Sequence, residues 1–124
     1  MLEGFKFDED REKKAPARRA RRNDSDRLRD ALLALSDHRG QVLDHSEKSW
    51  ASVTFSGARH TVTMLFAGAE AAAAAEFFIA ALPEHEFTIP RRLVADATIC
   101  EVEHRMVPSP RMVVRCEILL LVED

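Results

Sequence analysis

The chain has 124 residues, 46% hydrophobic and 31% charged, with a formal net charge of −3. That is one domain's worth of chain, enough to bury a core, with a composition ordinary for a globular protein. Residues 1–22 carry eight Lys and Arg against five Asp and Glu, and the remainder carries ten against sixteen. An acidic folded part disfavours a nucleic-acid-binding domain, whose contact face is usually basic.

The opening Met1-Leu2-Glu3-Gly4-Phe5 leads into charge, not into the apolar run of a signal peptide. The longest apolar stretch, residues 71–82, is interrupted by Glu76 and too short to span a bilayer. A cytoplasmic, reducing location is therefore expected. Residues 1–23 show no sustained periodicity and are expected to form a disordered basic arm, with residues 24–124 as one α+β domain. Arg18, Arg19, Arg21 and Arg22 are the candidate contacts to nucleic acid or an acidic partner, through salt-sensitive, sequence-independent attraction. The competing role is a solubilising tail. Phe5 and Phe7 are candidates to dock on the domain instead.

A helix is predicted from Ser25, capped by Asp24 or Ser25, with Asp26 at the positive end of the dipole. Leu28, Ala31, Leu32 and Leu35 form its apolar stripe. Gly40 suits the left-handed position after it. Residues 41–45 read as a short strand. A hairpin follows over residues 50–66, turning at Gly57-Ala58 in a type II′ turn. Its register pairs Phe55 with His60, Val53 with Val62 and Ala51 with Met64 on the core face. Trp50 and Leu65 pair on the other face.

Residues 69–82 form the second predicted helix, rich in alanine and stopped by Pro83. Residues 86–89 read as a short strand. The longest element is a second hairpin, residues 93–122, turning at Pro108-Ser109-Pro110. A three-residue loop puts Met106 opposite Met112, His104 opposite Val114, Val102 opposite Cys116 and Cys100 opposite Ile118, an apolar face. The other face pairs Glu103 with Arg115, Glu101 with Glu117, Ile99 with Leu119 and Ala97 with Leu121. Cys100 and Cys116 then share a face without being opposite, as small core residues and not a disulfide.

The predicted fold class is α+β: an antiparallel sheet of four to six strands with two helices on one face. An echo at an offset of 47 residues aligns Ala34-Leu35-Ser36-Asp37-His38 with Ala81-Leu82-Pro83-Glu84-His85. It suggests two α-β-β-β repeats, with Val53 equivalent to Cys100 and Phe55 to Val102.

No histidine pair has zinc-finger spacing and neither cysteine lies in CxxC. The four glycines are all single, so no Gly-rich phosphate loop exists. No metal and no cofactor is expected. The repeat would bring His38 and His85 together beside Asp37 and Glu84, against the blander role of two residues at helix ends. Glu101 with Glu117 is the one carboxylate pair that register suggests, and Arg115 nearby would relieve it.

These features favour a non-catalytic protein-interaction or regulatory domain. It is expected to self-associate as a homodimer through an apolar patch of Trp50, Leu65, Ile99, Leu119 and Leu121 on the outer sheet face. The alternatives are a small-ligand-binding protein or enzyme with a pocket near His38, His60, His85 and His104, and nucleic-acid contact through the basic arm.

Overall fold

The computed structural model describes residues 23–123. The basic arm, Phe5 and Phe7 lie outside them. The element order is α1 (Asp24–Leu35), β1 (Gln41–Ala51), β2 (Ser56–Ala67), α2 (Ala69–Ala81), a 3-10 turn (Leu82–Glu84), β3 (Arg92–Arg105) and β4 (Arg111–Val122). The strands form one antiparallel sheet in the order β1-β2-β4-β3. Both helices pack on one of its faces. The fold class is α+β, as predicted.

The helix face explains the core. Val62, Met64 and Phe66 of β2 alternate inward, as do Met112, Val114, Cys116, Ile118 and Leu120 of β4. Leu28 and Leu32 of α1 close over them, with Ala71, Ala72, Ala75 and Phe78 of α2. The alanines bring α2 close to the sheet, and Phe78 rests against Phe66 with ring centroids 5.9 Å apart. Each large side chain so buried contributes roughly 1.5–3 kcal/mol.

α1 begins one residue earlier than the predicted cap. Asn23 accepts from the Asp26 amide at 2.8 Å, and the Asp26 carboxylate accepts in return from the Asn23 amide. At the other end Asp37 and His38 take the positive φ angles, 58° and 57°, not Gly40. Gly40 instead immediately precedes β1, where a Cβ would lie 2.8 Å from Met64 Cε and 2.9 Å from the Phe66 ring.

The first hairpin differs from its predicted form. Residues 41–45 are not a separate strand but the start of β1, and the turn lies at residues 52–55. There Ser52 N–H donates to the Phe55 carbonyl at 2.7 Å, and Ser52 Oγ accepts from the Phe55 amide at 3.0 Å. Gly57 is not a turn residue. It sits in β2 opposite Trp50 on one side and Leu121 on the other, and a Cβ would collide with the Leu120 carbonyl. Its value is close approach, which sequence does not separate from turn chemistry. Val53 and Phe55 are consequently exposed at the hairpin tip, not in the core.

The second hairpin also shifts. Arg105 faces Arg111 across a five-residue connection, so Val102 faces Val114 and Glu101 faces Arg115. A slip of two residues preserves the faces. It gives Arg115 to Glu101, which it contacts, not to Glu103. An irregularity in β3 between Ile99 and Glu101 then reverses its faces, and a second, between Val94 and Asp96, restores them. Ile99 faces Cys116 and Ala97 faces Ile118, both packed against the core. Cys100 is displaced to the surface. Both thiols are free, and burial pushes the Cys116 thiol up to about 12.

Helix–strand–strand occurs twice, and the sheet order is symmetric about β2 and β4, where Val62 faces Cys116. The offset of 47 does not hold in the strands, because Val53 and Phe55 lie in the turn. Nor does residues 86–89 form a strand; Ile89 makes only an isolated bridge to Arg92.

Candidate functional site

The polar cluster on the helix face is built by β1, β2 and α1. Period-two alternation turns His45, Glu47 and Ser49 of β1 toward the helices, and His60 of β2 faces Glu47. His60 is buried at 1% exposure. His45 and His60 are diagonal neighbours, with Nε2 of His45 2.9 Å from Nδ1 of His60. One turn into α1, Arg29 reaches down to His45 Nδ1 at 2.8 Å and holds Asp26 at 2.7 Å.

The partners fix the tautomers. A guanidinium has only donors, so His45 Nδ1 accepts from Arg29. The His45 proton then sits on Nε2 and is donated to His60 Nδ1. His60 carries its own proton on Nε2, for which no partner is found among the described residues. Both rings are neutral in this chain. Burial pushes the His45 pKa down, and the repulsion that a protonated His45 would meet from a protonated His60 and from Arg29 adds to that, against the pull of Glu47 and Asp44. Burial also lowers His60, opposed by Glu47 and Asp24.

His60 lines a cleft of about 410 Å³ with Glu47, Ser49, Trp50, Arg92 and Val122. Two of its groups are already engaged: Ser25 Oγ donates to Glu47 at 3.1 Å, and Arg92 Nε donates to Asp24 at 2.7 Å. The arrangement offers a donor at His60 and one carboxylate at Glu47, suited to binding a neutral polar group.

The four histidines singled out in the sequence are not brought together. His38 is exposed in the turn after α1, and His104 is exposed near the β3–β4 turn opposite Met112. His85 is exposed and meets the edge of Phe87, ring centroids 4.6 Å apart. Only His60 is in the cluster, and its partner, His45, was not singled out. The signal was present: residues 45, 47 and 49 alternate in step with the inward positions of the neighbouring strand once residues 41–51 are read as one element. Among the described residues no group of three or more His, Cys, Asp or Glu is placed to hold a metal. Glu101 and Glu117 are not paired; Glu117 lies 3.7 Å from Arg59.

Of the five residues expected in the outer-face patch, Trp50, Leu119 and Leu121 lie near one another on that face. Trp50, Gly57, Leu121 and Leu93 lie in one row across the sheet, next to Arg59, Leu119 and Asp96. Leu119 and Leu121 are buried, Trp50 is half-buried and Leu93 is exposed. Leu65 is at the far end of β2, and Ile99 belongs to the core face for the reason given above. Arg18, Arg19, Arg21 and Arg22 lie outside the described residues. No helix among the described residues is long and apolar enough to cross a membrane.

No protein-family model matches the chain, and no curated protein matches it. Among solved structures, a chain of the virion of a native gene transfer agent particle is similar, at 16% identity and a TM-score of 0.52. The likeness covers 78% of this chain and 90% of that chain, and it is a likeness of fold.

Proposed function

We propose that this chain is a non-catalytic assembly domain, a small protein-interaction subunit that joins copies of itself. The observation that carries this is the exposed apolar surface at both ends of the sheet. Val53 and Phe55 stand out at the β1–β2 tip, and Met106 and Val107 at the β3–β4 tip. The β2–β4 register puts these tips at opposite ends. Exposed apolar groups gathered at two poles suit a protein that is contacted there. The similarity to a chain of a virion particle supports the same kind of role. Free thiols at Cys100 and Cys116 suit a cytoplasmic setting.

Light scattering and native mass spectrometry from micromolar to millimolar concentration test this. Self-association rising with concentration is expected, and it weakens in Phe55→Ser and in Met106→Ser. A clean monomer across the range overturns it.

A second reading, small-ligand binding, is favoured by His60 with its unshared Nε2 beside the cleft. Neutral amide- and hydroxyl-bearing fragments screened by imidazole NMR test it: shifts at His60 that vanish in Glu47→Ala support it, and an unresponsive His60 ends it.

A further inference from the structure

We infer that the free edge of β1 is the site of self-pairing, with two copies joined antiparallel about Ser46 into one continuous eight-stranded sheet. This rests on self-association as proposed above, and it adds a second surface to the two apolar tips.

The sheet has two edges, β1 and β3. They are not equivalent. β3 is broken by irregularities between Val94 and Asp96 and between Ile99 and Glu101, which bend an edge away from a flat partner. β1 has one irregularity, between Val42 and Asp44, and then runs regularly from Asp44 to Ala51. Among the described residues no strand pairs with its outer side. Eight residues of regular, unpaired backbone are a template for another strand.

The side chains select the partner. In a pairing of like strands about a twofold axis normal to the sheet, each residue faces one of the same sheet face. Centring the axis on Asp44, Glu47 or Lys48 sets a charge against its own copy, and centring it on His45 pairs no opposite charges. Centring it on Ser46 sets Asp44 against Lys48 twice on the outer face, and on the helix face it sets the neutral His45 against Glu47, so no like charges are opposed. The middle is Ser46 against Ser46, small and uncharged. Neither Asp44 nor Lys48 has an ion-pair partner among the described residues. Within one chain they are about 13 Å apart along the strand, too far to pair. The strand is therefore complementary to itself, which argues for a second copy of this chain and not an unrelated peptide.

The test uses the full chain. Asp44→Lys and Lys48→Asp each turn two attractive contacts into two repulsive ones, and each is expected to raise the dimer dissociation constant about tenfold. The double variant restores the opposite charges only across the twofold axis, and is expected to return the constant to within about threefold of the parent. In a Cys100→Ser background, Ser46→Cys is expected to give a covalent dimer under mild oxidation, and Thr61→Cys, on a central strand, is not. Circular dichroism checks that each variant is folded. Self-association that both single reversals leave unchanged overturns the β1 edge and leaves the assembly role standing. A parent that stays monomeric at millimolar concentration overturns both.

Discussion

The imidazoles of His45 and His60 are joined ring to ring, Nε2 to Nδ1 at 2.9 Å, and both are held neutral by the direction of the chain that Arg29 starts. This relationship sets the pH response of the fold.

Both histidines have pKa values lowered below their ordinary value of 6.5. The folded state therefore holds fewer protons than the unfolded state between the lowered values and about 6.5. Stability from this pair is fully present above about pH 6.5 and declines as pH falls from there toward the folded-state values. Urea unfolding from pH 8 to pH 5 should show that decline. His60→Gln should be less stable at neutral pH but flatter across the same range.

Arg29→Ala should destabilise by roughly 1–3 kcal/mol, because it leaves His45 Nδ1 without its donor. The bridge to Asp26 is about one-third exposed and adds little. Arg29→Lys should recover only part of the loss, since a single ammonium cannot hold Asp26 and His45 in the same fork. The midpoint of denaturation reads this out.

Gly57→Ala should cost about 2–3 kcal/mol, since its methyl group is driven into the Leu120 carbonyl of the neighbouring strand. A turn glycine would tolerate the change differently, so thermal unfolding of this variant separates a strand role from a turn role.

Thiol labelling should distinguish the cysteines. Cys100 is exposed, yet its pKa is raised by partial burial and by the charge and hydrogen bond of Glu117, so it should react slowly at neutral pH. Glu117→Gln should speed that reaction. Cys116 should label only on unfolding.

The two helices and the inward faces of β2 and β4 were legible in the sequence. Val62, Met64 and Phe66, like Val114, Cys116 and Ile118, sit in central strands covered on one side, so burial imposes a clean period of two. The edge strands were not legible in the same way. β1 is exposed along most of its length and selects few apolar residues, so it read as a fragment and His45 was lost with it. In β3 the alternation misplaced Ile99 and Ala97, because the irregularity between Ile99 and Glu101 that turns them inward is set by pairing with β4 and not by β3 itself. Gly57 shows the same division. The sequence by itself determined which residues of the helices and of β2 and β4 the core would take, through hydrophobic periodicity. The tertiary structure alone decided the hairpin turns, the reversal of β3 and the meeting of His45 with His60, because each depends on a neighbouring strand.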